Sequence, residues 1–250
     1  MFATTMQYWR RAMSQSAVWS AALWTLVFTS LITGVLVAFG AGAIASAIYH
    51  PTLAFTSPPP VTSDPQRVLG AIAIMYLVIL AAGPFLMAGI YGLFGQAVAG
   101  TRVTWGSFWR FGSRYYGRAW GLLFFALLWG LALSVVAGLL FLVLHTVGLV
   151  MAGLVFLLSW PFAIRMMGGL FVDTYSWGDS FRAAFTIQGY GRIWGGGLIA
   201  LLAYVVLLLV ALELIHVLGT VGIIVYFLIV LFMVVAAPIW LFSVYRAAGA

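Results

Sequence analysis

The chain has 250 residues, of which 65% are hydrophobic and only 6% are charged. A soluble globular protein carries about 25% charged residues, so lipid rather than water is expected to solvate most of the surface. The formal net charge is +7, and every basic side chain is an arginine. Because these arginines flank apolar segments, the charge predicts a membrane topology and gives no reason to expect nucleic acid as a partner. The absence of cysteine excludes disulfides and thiolate chemistry.

Several apolar segments are long enough to cross a bilayer, since a transmembrane helix needs about 20 predominantly apolar residues. In chain order we predict six spans, at residues 18–49, 68–100, 119–144, 147–172, 193–215 and 219–245. The very short connections after the third and fifth spans predict tight antiparallel hairpins. The sequence therefore predicts an all-α, polytopic membrane protein with one transmembrane domain over residues 1–250.

The arginines orient the predicted spans. One side of the membrane receives Arg10, Arg11, Arg102, Arg110, Arg114, Arg118, Arg182, Arg192 and Arg246, whereas the connections on the other side contain only Arg67. Positive charge accumulates on the cytoplasmic side of membrane proteins, so we predict a plasma-membrane protein with both termini in the cytoplasm. A cleaved signal peptide ending near Ala45 is the alternative for the first span, but the apolar stretch before it exceeds the usual length of about 7–15 residues.

An internal repeat is indicated by two patterns. The motif Tyr-Gly-Arg-x-Trp-Gly begins at Tyr116 before the third span and at Tyr190 before the fifth. The even-numbered spans contain Pro84, Pro161 and Pro238, each 77 residues after the last. These patterns predict three hairpins, each preceded by a short amphipathic cytoplasmic helix, in units of about 1–100, 101–173 and 174–250.

Aromatic residues and arginines cluster where the predicted spans enter the membrane. At such positions tryptophan lies at the level of the lipid headgroups and arginine contacts phosphate. We therefore predict as interfacial anchors Trp105, Trp109, Arg110, Arg118, Trp120, Trp177, Arg192 and Trp194. Membrane lipids are the expected partners, with another membrane protein as an alternative.

Ionisable residues inside a predicted span are costly and commonly functional. Arg165 has uncharged counterparts, Ala88 and Phe242, at the matching positions after the other prolines. Arg165 is a candidate for contact with an anion or a lipid headgroup. The favoured alternative is a side chain that reaches the cytoplasmic interface, where Asp173 is a candidate partner. Glu213, near the outer end of the fifth span, and Asp173 are the other candidates for ligand contact.

The histidines His50, His145 and His216 fall near the outer ends of odd-numbered spans. Together with Glu213 they could bind a metal, but no H-x-x-x-H or H-E-x-x-H spacing supports this, and interfacial histidines are the favoured interpretation. Walker, G-x-S-x-G and glycine-rich nucleotide motifs are also absent from the sequence. We therefore predict no cofactor and no enzymatic activity.

Three segments resemble a group of bacterial six-helix membrane proteins of mostly unknown function. They are the span around Pro84-Phe85, the segment Phe108-Trp109-Arg110, and the run from Phe171-Val172-Asp173 to Ser180-Phe181-Arg182-Ala183-Ala184-Phe185, all within residues 70–205. The group includes the YesL-like proteins and the membrane domain of some glycerophosphodiester phosphodiesterases. The resemblance implies a bacterial plasma membrane and provides no catalytic residues. No part of this sequence corresponds to the soluble phosphodiesterase domain, so that activity is not transferred.

These features favour a non-enzymatic accessory or assembly factor that contacts lipid or a partner. The alternative is a transporter of small solutes or lipids with a cavity near Arg165 and Glu213, because secondary transporters are often built from repeats around a midplane site. A membrane-embedded enzyme would need converging polar groups that the sequence does not indicate.

Overall fold

In a computed structural model of the chain, residues 2–38 and 65–249 are described, and all regular secondary structure in these two ranges is helical. The all-α prediction is therefore confirmed for these ranges, whereas His50, Ala45 and the predicted first span beyond residue 38 lie outside them. A short 3-10 turn, Ser16–Trp19, precedes α2. The α-helices are α1 (Phe2–Met13), α2 (Ser20–Ala38), α3 (Pro65–Ala99), α4 (Ser107–Arg114), α5 (Tyr116–Phe171), α6 (Trp177–Ala184), α7 (Tyr190–Leu218) and α8 (Thr220–Gly249).

Four helices among the described residues are long and apolar enough to cross a membrane, namely the Ile79–Ala99 part of α3, and α5, α7 and α8. The most apolar 18-residue stretch of α5 has no residue buried inside the protein. A soluble protein rarely exposes an apolar surface of this extent. The exposed apolar helices therefore agree with the prediction that lipid covers much of the exterior.

Helix α5 folds back on itself at His145. The backbone of this residue (φ 50°, ψ −126°) is not helical, and it separates a first arm, residues 116–144, from a second arm, residues 146–171. The arms contact each other, and Trp129 Nε1 donates a hydrogen bond to Ser159 Oγ at 3.3 Å. The turn lies at the predicted connection between the third and fourth spans.

Helices α7 and α8 form a second antiparallel pair with the same turn geometry. Gly219, which separates them, has φ 56° and ψ −126°, close to the values of His145. Three residues after each turn there is a glycine, Gly148 or Gly222, and at both a Cβ atom would lie 2.1 Å from a backbone carbonyl oxygen. The residues around the turns are also alike, Leu-His-Thr-Val-Gly in α5 and Leu-Gly-Thr-Val-Gly between α7 and α8. This likeness was missed in the sequence analysis.

The main core forms where the proline-containing parts of α3, α8 and the second arm of α5 meet. The ring of Tyr91 in α3 lies 5.7 Å from that of Phe171 and 6.1 Å from that of Phe242, which joins the three helices. Gln96 Nε2 donates a hydrogen bond to the carbonyl oxygen of Phe171 at 3.0 Å. The core therefore lies at the end of the helices opposite to the turns at His145 and Gly219.

The short helices α1, α4 and α6 cover this same end. Trp9 of α1 donates to the carbonyl oxygen of Ala236 in α8 at 3.2 Å. The ring of Phe108 in α4 packs on Gly89 of α3, where a Cβ atom would come within 2.6 Å of it. Helix α6 begins after Ser176, whose Oγ accepts a hydrogen bond from the backbone N–H of the third helical residue.

As a result, every arginine except Arg67 lies at the end that holds the core and the short helices, which we call the arginine-rich end. The opposite end, with the turns at His145 and Gly219, is called the turn end. The two ends differ in charge, and the candidate site lies at the arginine-rich end.

Candidate functional site

A polar cavity of about 720 Å³ lies at the arginine-rich end, between α1, α8, the end of α5 and the start of α7. Its described lining includes three guanidinium groups and one carboxylate, so the lining is strongly cationic. The lining residues are Tyr8, Arg165, Asp173, Tyr175, Ala183, Gln188, Gly189, Arg192, Ile193, Tyr245, Arg246, Ala248 and Gly249. A site with this charge is suited to binding an anion.

The start of α7 shapes one wall of this cavity through Gly189. This residue has φ +70°, a left-handed conformation that glycine adopts without steric cost. A Cβ atom there would lie 3.2 Å from the carbonyl oxygen of Ala248 and 3.7 Å from Nη2 of Arg165. A larger residue at position 189 would therefore crowd the end of α8 and approach the guanidinium group. Before the first arm of α5, the matching position is occupied by Tyr115.

Arg165 is the buried cation of the cavity. It is only 9% exposed, and among the described residues its Nε atom has no hydrogen-bond partner. An unpartnered buried charge is costly, whereas a bound anion would satisfy it. Its counterparts Ala88 and Phe242 are 0% and 1% exposed. The fourth residue after each proline thus faces the interior, and this residue is charged only in the second arm of α5.

Asp173 is held by the end of α8 and not by Arg165. Its Oδ1 accepts a hydrogen bond from Arg246 Nη1 at 2.8 Å, and its Oδ2 accepts one from the Tyr245 hydroxyl at 2.6 Å. The pairing of Arg165 with Asp173 that the sequence offered as an alternative is therefore wrong, because α8 ends beside the carboxylate and supplies both partners. The charge of Asp173 is balanced by Arg246, which leaves Arg165 and Arg192 as the excess positive charge of the lining.

Arg118 and Arg192 occupy the same position of the repeated motif but have different surroundings. Arg118 donates to the carbonyl oxygens of Leu170 at 3.0 Å and Thr174 at 2.9 Å, and its Cζ lies 4.9 Å from the centre of the Tyr115 ring. It therefore connects the two ends of the α5 hairpin. Arg192 is exposed and lines the polar cavity, where it is available to a ligand.

The other predicted anchors lie at the arginine-rich end, and most of them are exposed. The exposed ones are Trp105, Trp109, Arg110, Trp120 and Trp177. Trp177 also packs on the first arm of α5 at Gly121, where a Cβ atom would clash with its ring. Trp194 is half-buried, and its Nε1 donates to the carbonyl oxygen of Leu157 at 3.1 Å. Trp194 therefore joins α7 to α5.

Glu213 and the described histidines lie towards the turn end. Glu213 and His216 are exposed on the last turns of α7, and His145 forms the turn within α5. The polar cavity lined by Arg165 does not include Glu213. Within residues 2–38 and 65–249, no group of three histidine, cysteine or acidic side chains is placed to hold a metal ion. His50 lies outside the described residues.

A second, apolar cavity of about 260 Å³ lies between α1, α7 and α8. Its described lining is Phe2, Met6, Trp9, Ile199, Ala200, Ala203, Tyr204, Leu207, Phe232, Met233, Ala236, Ala237 and Trp240. Ala200 of this cavity follows Ile193 of the polar cavity by seven residues, which places both on one face of α7, about 10 Å apart. The two cavities therefore follow one another along the same helices.

Among the residues that line the polar cavity, the sequence indicated Arg165 and Asp173 as ligand contacts and Arg192 as an interfacial anchor, but not Tyr8, Gln188, Gly189 or Tyr245. An alignment of the two Tyr-Gly-Arg motifs would have indicated Gly189, because a glycine replaces Tyr115 directly before the second motif. Tyr8 and Tyr245 are far from the motif in sequence, and only the packing of α1 and α8 brings them to the cavity.

Comparison with known proteins provides no relative from which a role could be transferred. No family model, no curated protein and no solved structure matches the chain significantly. The interpretation of the cavity therefore depends on its geometry and charge.

Proposed function

We propose that this chain is an integral membrane protein with six membrane spans and cytoplasmic termini, and that it acts as a non-enzymatic accessory or assembly factor in contact with anionic lipid. The observation that carries this proposal is the separation of charge along the helices. The arginine-rich end holds the aromatic short helices and the polar cavity, whereas the stretches towards the turn end expose large apolar side chains. A bilayer with an anionic inner leaflet matches this distribution.

Helix length supports the proposal of six spans. A straight helix of 56 residues would measure about 84 Å, far more than the roughly 30 Å of a bilayer's hydrocarbon core. The turn at His145 divides α5 into two arms that each suffice to cross. With α3, α7 and α8 this makes five spans, and α2, which begins the predicted first span, is the sixth.

The three-hairpin organisation is supported by the two turns. His145 and Gly219 have nearly the same backbone angles, and the glycines that follow them approach a carbonyl oxygen at the same distance. Each of these hairpins is preceded by a short helix, α4 or α6, just as α1 precedes α2 and α3. We propose that these are three copies of one unit.

A role in binding rather than catalysis is supported by the residue types at the polar cavity. Guanidinium groups, tyrosines and a glutamine bind anions and hydroxyl groups. The carboxylate of Asp173 accepts hydrogen bonds from Tyr245 and Arg246, so it is held in a structural contact with the end of α8. The plasma membrane of a bacterium is the location that the resemblance to six-helix membrane proteins implies.

Transport receives less support. The transporter prediction placed Arg165 and Glu213 at one cavity, but Glu213 is exposed near the turn end and does not line the polar cavity. A flux assay in liposomes distinguishes the two roles. The accessory role predicts no flux of phosphate or glycerol 3-phosphate above that of empty liposomes.

The proposed lipid contact is tested by analysing the phospholipids that co-purify in a mild detergent. We expect anionic phospholipids to be enriched over their proportion in the total membrane extract. The Glu213→Gln variant, changed at the turn end, is the control and should retain the same enrichment. Lipid proportions equal to those of the membrane extract would contradict the proposal.

A further inference from the structure

The polar cavity has the charge and the donors that a phosphate group requires. Arg165 is nine-tenths buried with an unpartnered Nε, and Arg192 lines the same cavity from α7. A guanidinium group presents several N–H donors in one plane and binds phosphate oxygens in pairs. Because Arg246 is engaged by Asp173 at 2.8 Å, the ligand is expected to meet Arg165 and Arg192 first.

The neighbouring apolar cavity indicates that the phosphate belongs to a lipid and not to a free solute. It lies on the same face of α7, about 10 Å further towards the turn end, and its lining is almost entirely apolar. A free phosphate or a small phosphorylated solute gains nothing from such a surface. A phospholipid has its phosphate at the interface and its acyl chain directly below, which is the same order as the two cavities.

We propose that the two cavities form one binding site for an anionic phospholipid. The phosphate is bound by Arg165 and Arg192, and one acyl chain lies in the apolar cavity between α1, α7 and α8. The inference rests on the proposed function, because the polar cavity coincides with the headgroup region and the apolar cavity with the hydrocarbon only if these helices span a bilayer. The excess positive charge of the lining selects lipids with a net negative headgroup over zwitterionic lipids.

The structure gives α1 a role in this site. Trp9 donates a hydrogen bond to the carbonyl oxygen of Ala236, and the ring of Phe2 lies 5.9 Å from that of Trp240. These contacts place α1 beside α8, so that Tyr8 lines the polar cavity and Met6 the apolar one. Helix α1 therefore contributes lining residues to both cavities.

The test is a measurement of dissociation constants in a mild detergent with three probes: a short-chain phosphatidylglycerol, a short-chain phosphatidylcholine and glycerol 3-phosphate. We expect phosphatidylglycerol to bind the unmodified protein most tightly. The Arg165→Gln and Arg192→Gln variants should each weaken that binding about tenfold, the effect of removing one charged hydrogen-bond partner. Arg182→Gln is the matched control, because Arg182 is an exposed arginine at the same end that does not line the cavity.

A second variant tests the acyl chain. Ala203 lines the apolar cavity, and Ala203→Trp should weaken the binding of phosphatidylglycerol while leaving the binding of glycerol 3-phosphate unchanged. Equal binding of glycerol 3-phosphate and phosphatidylglycerol, with no effect of Ala203→Trp, would overturn the lipid assignment in favour of a free phosphorylated solute. Arg165→Gln and Arg182→Gln variants that lose affinity equally would overturn the site itself.

Failure of this site and failure of the proposed function give different results. If the unmodified protein co-purifies with anionic lipid and Arg165→Gln retains the full enrichment, the site is wrong and the proposed function stands. If the unmodified protein shows no enrichment at all, the proposed function fails. Circular dichroism and the melting temperature of each variant confirm that a loss of binding is not a loss of folding.

Discussion

The α5 hairpin and the α7–α8 hairpin begin with the same motif and turn with the same backbone geometry, yet their motif arginines have different roles. In α5, Arg118 is committed to the carbonyl oxygens of Leu170 and Thr174. At the start of α7, Arg192 lines the polar cavity. The same residue at the same position of the motif thus connects the ends of one hairpin and lines a cavity in the other.

The difference arises from the residues around the two arginines. Tyr115 packs under Arg118 with its ring 4.9 Å from the Cζ atom, whereas Gly189 takes that place in the second hairpin and leaves space. Arg165, which replaces the apolar residues Ala88 and Phe242 of the matching positions, brings a second guanidinium group to this space. A small residue and an added charge therefore distinguish the position that we propose for binding from its structural counterpart.

The largest effect on stability is expected at the glycines that follow the two turns, where the two hairpins are most alike. Gly148→Ala and Gly222→Ala each place a Cβ atom 2.1 Å from a backbone carbonyl oxygen, and we expect each to lower the free energy of unfolding by about 3 kcal/mol. The measurement is an SDS titration in mixed micelles. Gly153→Ala is the control, because among the described residues its Cβ position has no atom within 4 Å apart from its chain neighbours and the adjacent backbone of its own helix. A loss of stability in only one of the Gly148→Ala and Gly222→Ala variants would mean that the turns are not built alike, and no loss in either relative to Gly153→Ala would contradict the close approach.

Substitution of the two motif arginines, Arg118 and Arg192, should change the free energy of unfolding by different amounts in the two hairpins. Arg118→Gln removes charged hydrogen bonds to two carbonyl oxygens, and we expect it to lower the free energy of unfolding by about 2 kcal/mol. Arg192→Gln, at an exposed position, should change it by less than about 0.5 kcal/mol. The same titration measures both. A larger loss for Arg192→Gln than for Arg118→Gln would reverse the comparison.

The smallest effect on the free energy of unfolding is expected from substitution of the turn residues themselves, His145 and Gly219. His145 adopts φ 50° and ψ −126°, a conformation that Gly219 provides in the other hairpin. Because a side chain is strained there, His145→Gly should raise the free energy of unfolding by about 1 kcal/mol. Gly219→Ala should lower it by a similar amount. An unfolding curve of His145→Gly that shows a loss of stability would contradict the shared geometry.

Much of the fold was predictable from the sequence because apolar length and arginine position are local properties. The all-helical class, the break near His145 and the connection near Gly219 all follow from where apolar runs are interrupted. The partner of Asp173 was not predictable in this way. Arg246 lies 73 residues further along the chain, and its approach depends on how α8 packs against α5.

The candidate site was predictable only in part, for the same reason. Arg165 was recognisable as a charge in an apolar segment, and Arg192 as part of a motif. Glu213 was recognised by the same rule, and its predicted place near the outer end of the fifth span agrees with its position towards the turn end. A single sequence identifies unusual residues, but the packing of helices distant in sequence decides which of them share a cavity.

The central claim is that the arginine-rich end faces the cytoplasm and the turns face the outside. The chain contains no cysteine, so single cysteines can be introduced at Ser113 in α4 and at Thr220 beside the second turn, which are both exposed. In intact cells a membrane-impermeant maleimide is expected to label Thr220→Cys and to reach Ser113→Cys only after permeabilisation. Labelling of Ser113→Cys in intact cells, with Thr220→Cys protected, would contradict the account.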